Sequence, residues 1–393
     1  MRGVYSDLLF KFHACAAARL PAAWRAPASL PEVAEGAALP PAAFRARFSA
    51  PNAPVILRGA VAGWRALRTW TPAALAAAGG RGRFHCGGVP LPLADFFRYS
   101  GAASGRDDRP LYLFERDFFA LAPSLAEDVA PPPPGVGEDL LALLPPRARP
   151  DARWVIAGGR KSGSTFHKDP NASSAWNALV YGEKAWVLYP PHATPPGVLV
   201  SGDGTEVATP LSVMEWYLDH FPAHAARARA GGPDAPLCGL QRPGDVVFIP
   251  AGWWHQVLNL EDSLAVTHNF VAPDNLPGAL ALMREDPGAL SGVPPGARPE
   301  ELYGLLRAAL AEQRRGALEA AEGRAAGGGG GDGGGGGAAQ APLPPPPTRQ
   351  KAAPKWAEVV RAAAAAAAPA AQQKGGAAKE AHSFSFCFAA QGE

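Results

Sequence analysis

WVIAGGRKSGSTFHKDPNASSAWNALVYGEKAWVLYPP, Trp154 to Pro191, decides how the rest of the chain is read. Within it, His167 and Asp169 flank a single residue. On a strand, alternate side chains share a face, so an imidazole and a carboxylate two apart can grip one ion. Two ligands do not make a stable site. The candidate third is His255, in GDVVFIPAGWWHQVLNL. It follows the apolar run Val246-Val247-Phe248-Ile249 and a Pro-Ala-Gly turn, and opens a second alternating segment. Two histidines and one carboxylate on one face leave about half of an octahedron open, which suits Fe(II) oxygen chemistry. An HxD triplet alone is common and means little; here its surroundings give it weight.

Those surroundings form an ordered set: Ser162 to Pro170, Ser174 to Trp186, Leu188 to Pro191, Pro243 to Leu260 and Ala265 to Val271. The set resembles the JmjC family of 2-oxoglutarate-dependent oxygenases. It is most similar to the branch holding the lysyl-hydroxylase-like JmjC proteins and the plant F-box proteins with a JmjC domain. A looser likeness runs from about Val4 to about Pro277. The resemblance implies a mainly β double-stranded β-helix (jelly-roll, cupin-like), with α/β elements before it and a helix after it. It implies Fe(II), 2-oxoglutarate and O2, with the metal held by His167, Asp169 and His255. In such enzymes 2-oxoglutarate chelates iron through its 1-carboxylate and keto oxygen, and its distal carboxylate meets a cation and hydroxyls. Lys184 occupies the lysine position of the family's GxKxW segment, and an ammonium is a compact point charge suited to that carboxylate. Thr267 and Tyr112 match its hydroxyl partners. Asn177, Asn269 and Ser164 sit at polar family positions lining the same pocket; Ser164 replaces the usual threonine and keeps the hydroxyl.

Bland readings stand beside these. Lys184 reads equally as an exposed strand lysine, and the two asparagines as turn or ladder residues. Trp176, Trp186, Trp253 and Trp254 read as core and pocket wall. His220 and His224 are spaced like ligands on a helix, but Pro222 lies between them and no carboxylate is in register, so a solvated helix face is expected. His268 follows Thr267 and should point away from the site.

Composition narrows the classes. Net charge is +2, with no basic block, so nothing points to nucleic acid or an anionic membrane. The four cysteines are scattered without a CxxC, which argues against a disulfide framework or zinc ribbon and fits a reducing compartment, nucleus or cytoplasm. No apolar run reaches bilayer length. Arg2, Lys11, Arg19 and Arg25 among alanines leave a transit peptide open, while Lys11 and His13 break any secretory h-region.

Along the chain we expect four regions. Residues 1–110 hold strands and helices supporting the barrel: a helix over 39–49, a strand at Val55 to Leu57, a Thr71-capped helix and a strand at Arg83 to Cys86. Residues 111–277 form the JmjC core, with a strand at Pro110 to Phe114, a short helix at Glu138 to Leu144 and helical character over 210–230, which Pro222 should break near its end. Residues 278–325 form a helical segment, amphipathic from about Pro299 to about Ala325, able to lie on the barrel or on a second copy in a homodimer. Residues 326–393, with GGGGGDGGGGG and PLPPPP, read as a disordered tail in which Lys355 to Ala368 is a marginal solitary helix.

The expected activity is 2-oxoglutarate-dependent hydroxylation of a protein side chain, lysine first. N-methyl demethylation of arginine or lysine is the near alternative, and no Tudor or zinc-finger reader segment is seen. Two other classes compete: a non-catalytic barrel used for protein interaction, and a metal-dependent cupin of another chemistry. The retained triad and Lys184 speak against the first, because buried charges are costly to keep. Lys184 with Thr267 speaks against the second, which needs no such pair.

Overall fold

The computed structural model describes residues 7–25, 29–102, 104–133, 136, 138–200, 207–208 and 212–327. Its strands in chain order are β1 (Glu32–Val33), β2 (Val55–Leu57), β3 (Phe84–Cys86), β4 (Val89–Leu91), β5 (Tyr112–Glu115), β6 (Arg153–Gly158), β7 (Gly163–His167) and β8 (Ser174–Tyr181). There follow β9 (Lys184–Tyr189), β10 (Leu199–Val200), β11 (Val207–Ala208), β12 (Leu237–Gln241), β13 (Val246–Ile249), β14 (Trp254–Asn259) and β15 (Ser263–Phe270). A nine-stranded sheet runs β1-β2-β13-β8-β15-β6-β5-β3-β4, and a four-stranded sheet runs β12-β9-β14-β7. Ala175 and Val247 of the first pack with Trp186, Leu188 and Val257 of the second in one apolar cluster, so the sheets face each other. This is the expected double-stranded β-helix, with β1 to β4 widening one sheet.

Each sheet is also covered outside. The large sheet's outer face carries Val155, Ala178, Val246 and Val266, packed with Phe44, Trp64, Trp70 and Phe118 from the N-terminal helices and turns. The small sheet's outer face carries Val187, Tyr189, Trp254 and Leu258, packed with Met214, Trp216 and Tyr217. Strands covered on both sides read as unbroken apolar runs rather than alternating ones; β9 and β14 are buried at every position.

Local chemistry sets several boundaries. Thr71 accepts from Ala74 N at 3.2 Å and caps the helix Pro72–Gly79, as expected. Ser212 and Glu215 form a reciprocal capping box at the start of Val213–Asp219. The helical stretch after it is two helices, and Pro222 lies in the first turn of Phe221–Ala230. There its missing N–H costs nothing, so it begins a helix rather than ending one. The C-terminal amphipathic segment is likewise two helices, Pro299–Gln313 and Arg315–Gly327. Their Leu302, Leu306, Leu310 and Leu318 pack on Leu140, Leu141, Leu276 and Met283, so the barrel side of the same chain takes up the apolar face. Glu138 to Leu144 contains only a 3-10 turn, Leu140–Leu143. The tail beyond residue 327, including Lys355 to Ala368, lies outside the described residues. Among described residues no helix is long and apolar enough to cross a membrane, and Cys15, Cys86 and Cys238 are free thiols.

Candidate functional site

His167 and His255 are cross-strand partners on β7 and β14, with ring centroids 4.1 Å apart. Asp169 lies just past the end of β7 rather than on it, because Pro170 follows and Asn171 and Ala172 turn the chain at φ of 59° and 50°. One ligand atom from each of the three lies within 4.8 Å of the others. Each histidine's Nδ1 faces a backbone carbonyl, Thr165 O at 2.7 Å for His167 and Trp253 O at 3.2 Å for His255. A carbonyl only accepts, so each Nδ1 carries the proton and each Nε2 keeps its lone pair. Burial, and then the neighbouring His167, lower the His255 pKa to about 4, so its ring is neutral at physiological pH. Asp169 Oδ1 accepts from Asn269 Nδ2 at 3.2 Å, while its buried Oδ2 has no hydrogen-bond partner. Two free lone pairs and an orphaned carboxylate oxygen are a donor set that fits a divalent iron ion.

A bulge makes the inner face continuous. His255 pairs with His167 and Val257 with Ser164, so three residues of β7 step against two of β14. Three apart on a regular strand, Ser164 and His167 would face opposite ways. The extra residue returns Ser164 to the face that Val257 and His255 share. The chains approach closely here: a Cβ on Gly163 would sit 1.9 Å from Val257 O.

Lys184 is wholly buried at the start of β9. It is not the exposed strand lysine of the bland reading. Its Nζ donates to Asn259 Oδ1 at 2.8 Å, and the Tyr112 hydroxyl stands 3.5 Å away. Burial alone lowers its pKa to about 7, and no carboxylate acts on it. Thr267 and Asn177 are cross-strand partners on β15 and β8. Thr267 Oγ1 donates to Trp176 O at 3.0 Å, and the buried Asn177 Oδ1 has no partner. Asn269 does something more specific than line a pocket: it holds Asp169 and also donates to Ser173 Oγ at 3.2 Å.

The tryptophans divide between wall and core. Trp186 stacks on His255 at 6.2 Å, its Nε1 donating to Gln241 Oε1 at 2.8 Å. Trp254 packs on the outer face, with the Lys168 ammonium 4.6 Å from its ring centre. His268 points outward as expected, stacked on Trp176 at 5.6 Å and 3.4 Å from Asp139. His224 corrects the solvated-face expectation. It is buried, with Nδ1 2.9 Å from the Tyr189 hydroxyl and Nε2 3.3 Å from Cys238 Sγ, and burial lowers its pKa to about 4. It is a satisfied core histidine. Asn259, Ser162 and Gln241 had no assigned role in the sequence. The first two sit inside matched motifs, but only spatial contact singles them out.

Fold and site together define a cupin-type double-stranded β-helix with a two-histidine, one-carboxylate centre. A model of the cupin-like domain matches residues 89–275. The chain is 37% identical over 321 residues to the arginine-specific demethylase JMJ22 of Arabidopsis thaliana, covering 82% of this chain and 61% of that protein. It is 34% identical over 245 residues to the bifunctional arginine demethylase and lysyl-hydroxylase psr-1 of Caenorhabditis elegans, 59% of each. It is 31% identical over 136 residues to the 2-oxoglutarate and iron-dependent oxygenase JMJD4 of Mus musculus, 35% of this chain and 30% of that protein. The chain thus spans less than two thirds of the length of these curated relatives. The matched domain and these relatives make the chain similar to the JmjC group of 2-oxoglutarate oxygenases, including members named for lysyl hydroxylation.

Proposed function

We propose that this chain is an Fe(II)- and 2-oxoglutarate-dependent oxygenase that hydroxylates a protein side chain, lysine first, in the nucleus or cytoplasm. The observation that carries the reading is Lys184, a buried ammonium with only neutral partners, on the barrel face that also holds the triad. A cation buried without a counter-charge is costly, and an incoming carboxylate relieves that cost. Asn259, beside Lys184, lies four positions along β14 from His255, about 13 Å of strand. A lysine side chain and a short dicarboxylate together can bridge that gap. His167, Asp169 and His255 would hold the iron; Lys184, Tyr112 and Thr267 the distal carboxylate; Ser164 and Asn177 the pocket between. When bound, iron would let O2 be divided between the two substrates, one oxygen atom going to 2-oxoglutarate, which leaves as succinate and CO2, and the other to a C–H bond as a hydroxyl. The protein fixes the ligand tautomers through the two backbone carbonyls and the carboxylate through Asn269, and it excludes water with an aromatic and aliphatic wall.

Removal of an N-methyl group from arginine or lysine is the second reading. Phe114, 37% exposed, stacks on Trp154 at 5.5 Å, and a methylated cation binds well to an aromatic face. Turnover of 2-oxoglutarate with lysine-bearing and N-methylated peptides, followed by mass spectrometry, separates the readings. Retention of one added oxygen on lysine is the expected product. Loss of a methyl group with release of formaldehyde would make the chain a demethylase. Failure to bind 2-oxoglutarate would make it a non-catalytic barrel. His167→Ala and His255→Ala should each lose bound iron while keeping the folded barrel, and full iron occupancy in both would sink the triad.

A further inference from the structure

This inference rests on the co-substrate reading above. An ammonium brings three N–H donors, and Asn259 Oδ1 is the near acceptor for Lys184. Asn259 is itself without exposure and lies directly across from Lys184. Its amide cannot be turned round. Nδ2 donates to Ser162 Oγ at 2.9 Å and to Gly158 O at 3.3 Å. A backbone carbonyl only accepts, and Ser162 Oγ gives its own proton to Gly159 O at 2.6 Å, so both need a donor from Asn259. The oxygen end is therefore committed to Lys184. The supporting loop is pinned in turn: Lys161 N donates to Asn259 O at 2.9 Å, and Asn259 N to Ser162 O at 2.8 Å. The Lys161 ammonium reaches Ala16 O at 2.7 Å, tying the loop to the N-terminal helix. Gly158 leaves no room to spare, since a Cβ there would lie 2.1 Å from Ser162 Oγ and 2.6 Å from the Tyr112 ring.

We propose that Asn259 is a positioning residue for 2-oxoglutarate: it holds the Lys184 ammonium in the barrel while contributing no charge of its own. The neutrality is what a purely structural role would not require. An aspartate has the same shape and accepts the same hydrogen bond. Its charge, however, would satisfy Lys184 permanently and repel the distal carboxylate.

The test is anaerobic titration of the full chain with 2-oxoglutarate in the presence of Fe(II), followed by calorimetry and by melting without co-substrate. Asn259→Asp should weaken 2-oxoglutarate binding by about a hundredfold or more. Iron affinity should stay within about threefold, and the melting temperature separates a fold defect from a binding defect, because the new carboxylate pairs with Lys184 but leaves Gly158 O and Ser162 Oγ without their donor. Asn259→Leu should lose both co-substrate affinity and stability. Lys184→Met separates the two levels of inference. If Asn259→Asp binds like the parent while Lys184→Met does not, the positioning role is wrong and the co-substrate reading stands. If Lys184→Met also binds like the parent, the reading of Lys184 fails and this inference with it. Should Asn259→Asp not fold, Ser162→Ala frees the amide to turn and should weaken 2-oxoglutarate about tenfold; unchanged affinity there would overturn the proposal.

Discussion

At the scale of single residues, Lys184 carries the proposed co-substrate contact. Removing one partner of a buried charge pair costs about 3–5 kcal/mol, so Lys184→Met should raise the 2-oxoglutarate dissociation constant by roughly two to four powers of ten. Methionine keeps the length and apolar stem, so the loss reports charge. Thr267→Val deletes a neutral donor and should cost on the order of 1–2 kcal/mol. The charge-transfer absorbance of the Fe(II) protein reads both, and equal affinity in parent and Lys184→Met would remove the lysine from the site. The same residue predicts a proton linkage. Its pKa is about 7 in the free protein against an ordinary 10.5. Between those values the unfolded chain holds a proton that the folded one has lost, so Lys184 makes stability rise with pH across that window. An added carboxylate restores the ammonium, so at about pH 8.5 binding of 2-oxoglutarate should take up about one proton. Calorimetry in two buffers of different ionisation enthalpy measures it. No uptake would mean that the free protein already carries the charge.

Elements with strong local rules were legible in the sequence. Val55–Leu57, the Thr71 cap and the strand ending at Cys86 follow from branching, capping and burial, and stand where expected. The HxD pair does come together with His255, but not by strand alternation: Asp169 lies just past the end of β7, and the residue sharing the inner face through strand geometry is Ser164, by way of a bulge. A bulge depends on the partner strand, so one strand's alternation does not reveal it. Pro222 and His224 were misread together. A proline in a first turn marks the start of a second helix, and the shielding of His224 comes from Tyr189 and Cys238 on other elements. The C-terminal helix pair also depends on distant contacts, which predicts its behaviour. Leu306 is fully buried between it and the segment around Leu140 and Leu276. Leu306→Ala should destabilise the protein by about 2–5 kcal/mol, seen in denaturant melts. The 2-oxoglutarate affinity of the folded fraction should not change, because none of the candidate site residues belongs to this apolar cluster; a large change would show that the helices shape the pocket.

For the molecule as a whole, the candidate site residues are confined to one barrel, and the other described layers pack around it. The N-terminal helices and turns cover the large sheet, the helix Val213–Asp219 covers the small one, and the C-terminal pair seals one flank. All candidate residues lie between Tyr112 and Asn269, within or just beyond strands of the two facing sheets. The last helix among the described residues ends at Gly327, and the sequence that follows opens on a glycine run and then a proline run. Such composition offers little apolar surface to offset the entropy of ordering. A chain ending at residue 327 should therefore keep its melting temperature, its iron content and its 2-oxoglutarate turnover. Turnover on a protein substrate is the sharper comparison, because a covalently attached segment can raise the local concentration of a partner without contributing to the pocket. Equal turnover on a short peptide, with slower turnover on the intact substrate, would assign residues 328–393 to substrate capture. Loss of uncoupled 2-oxoglutarate turnover on the same deletion would instead put part of the tail in the site.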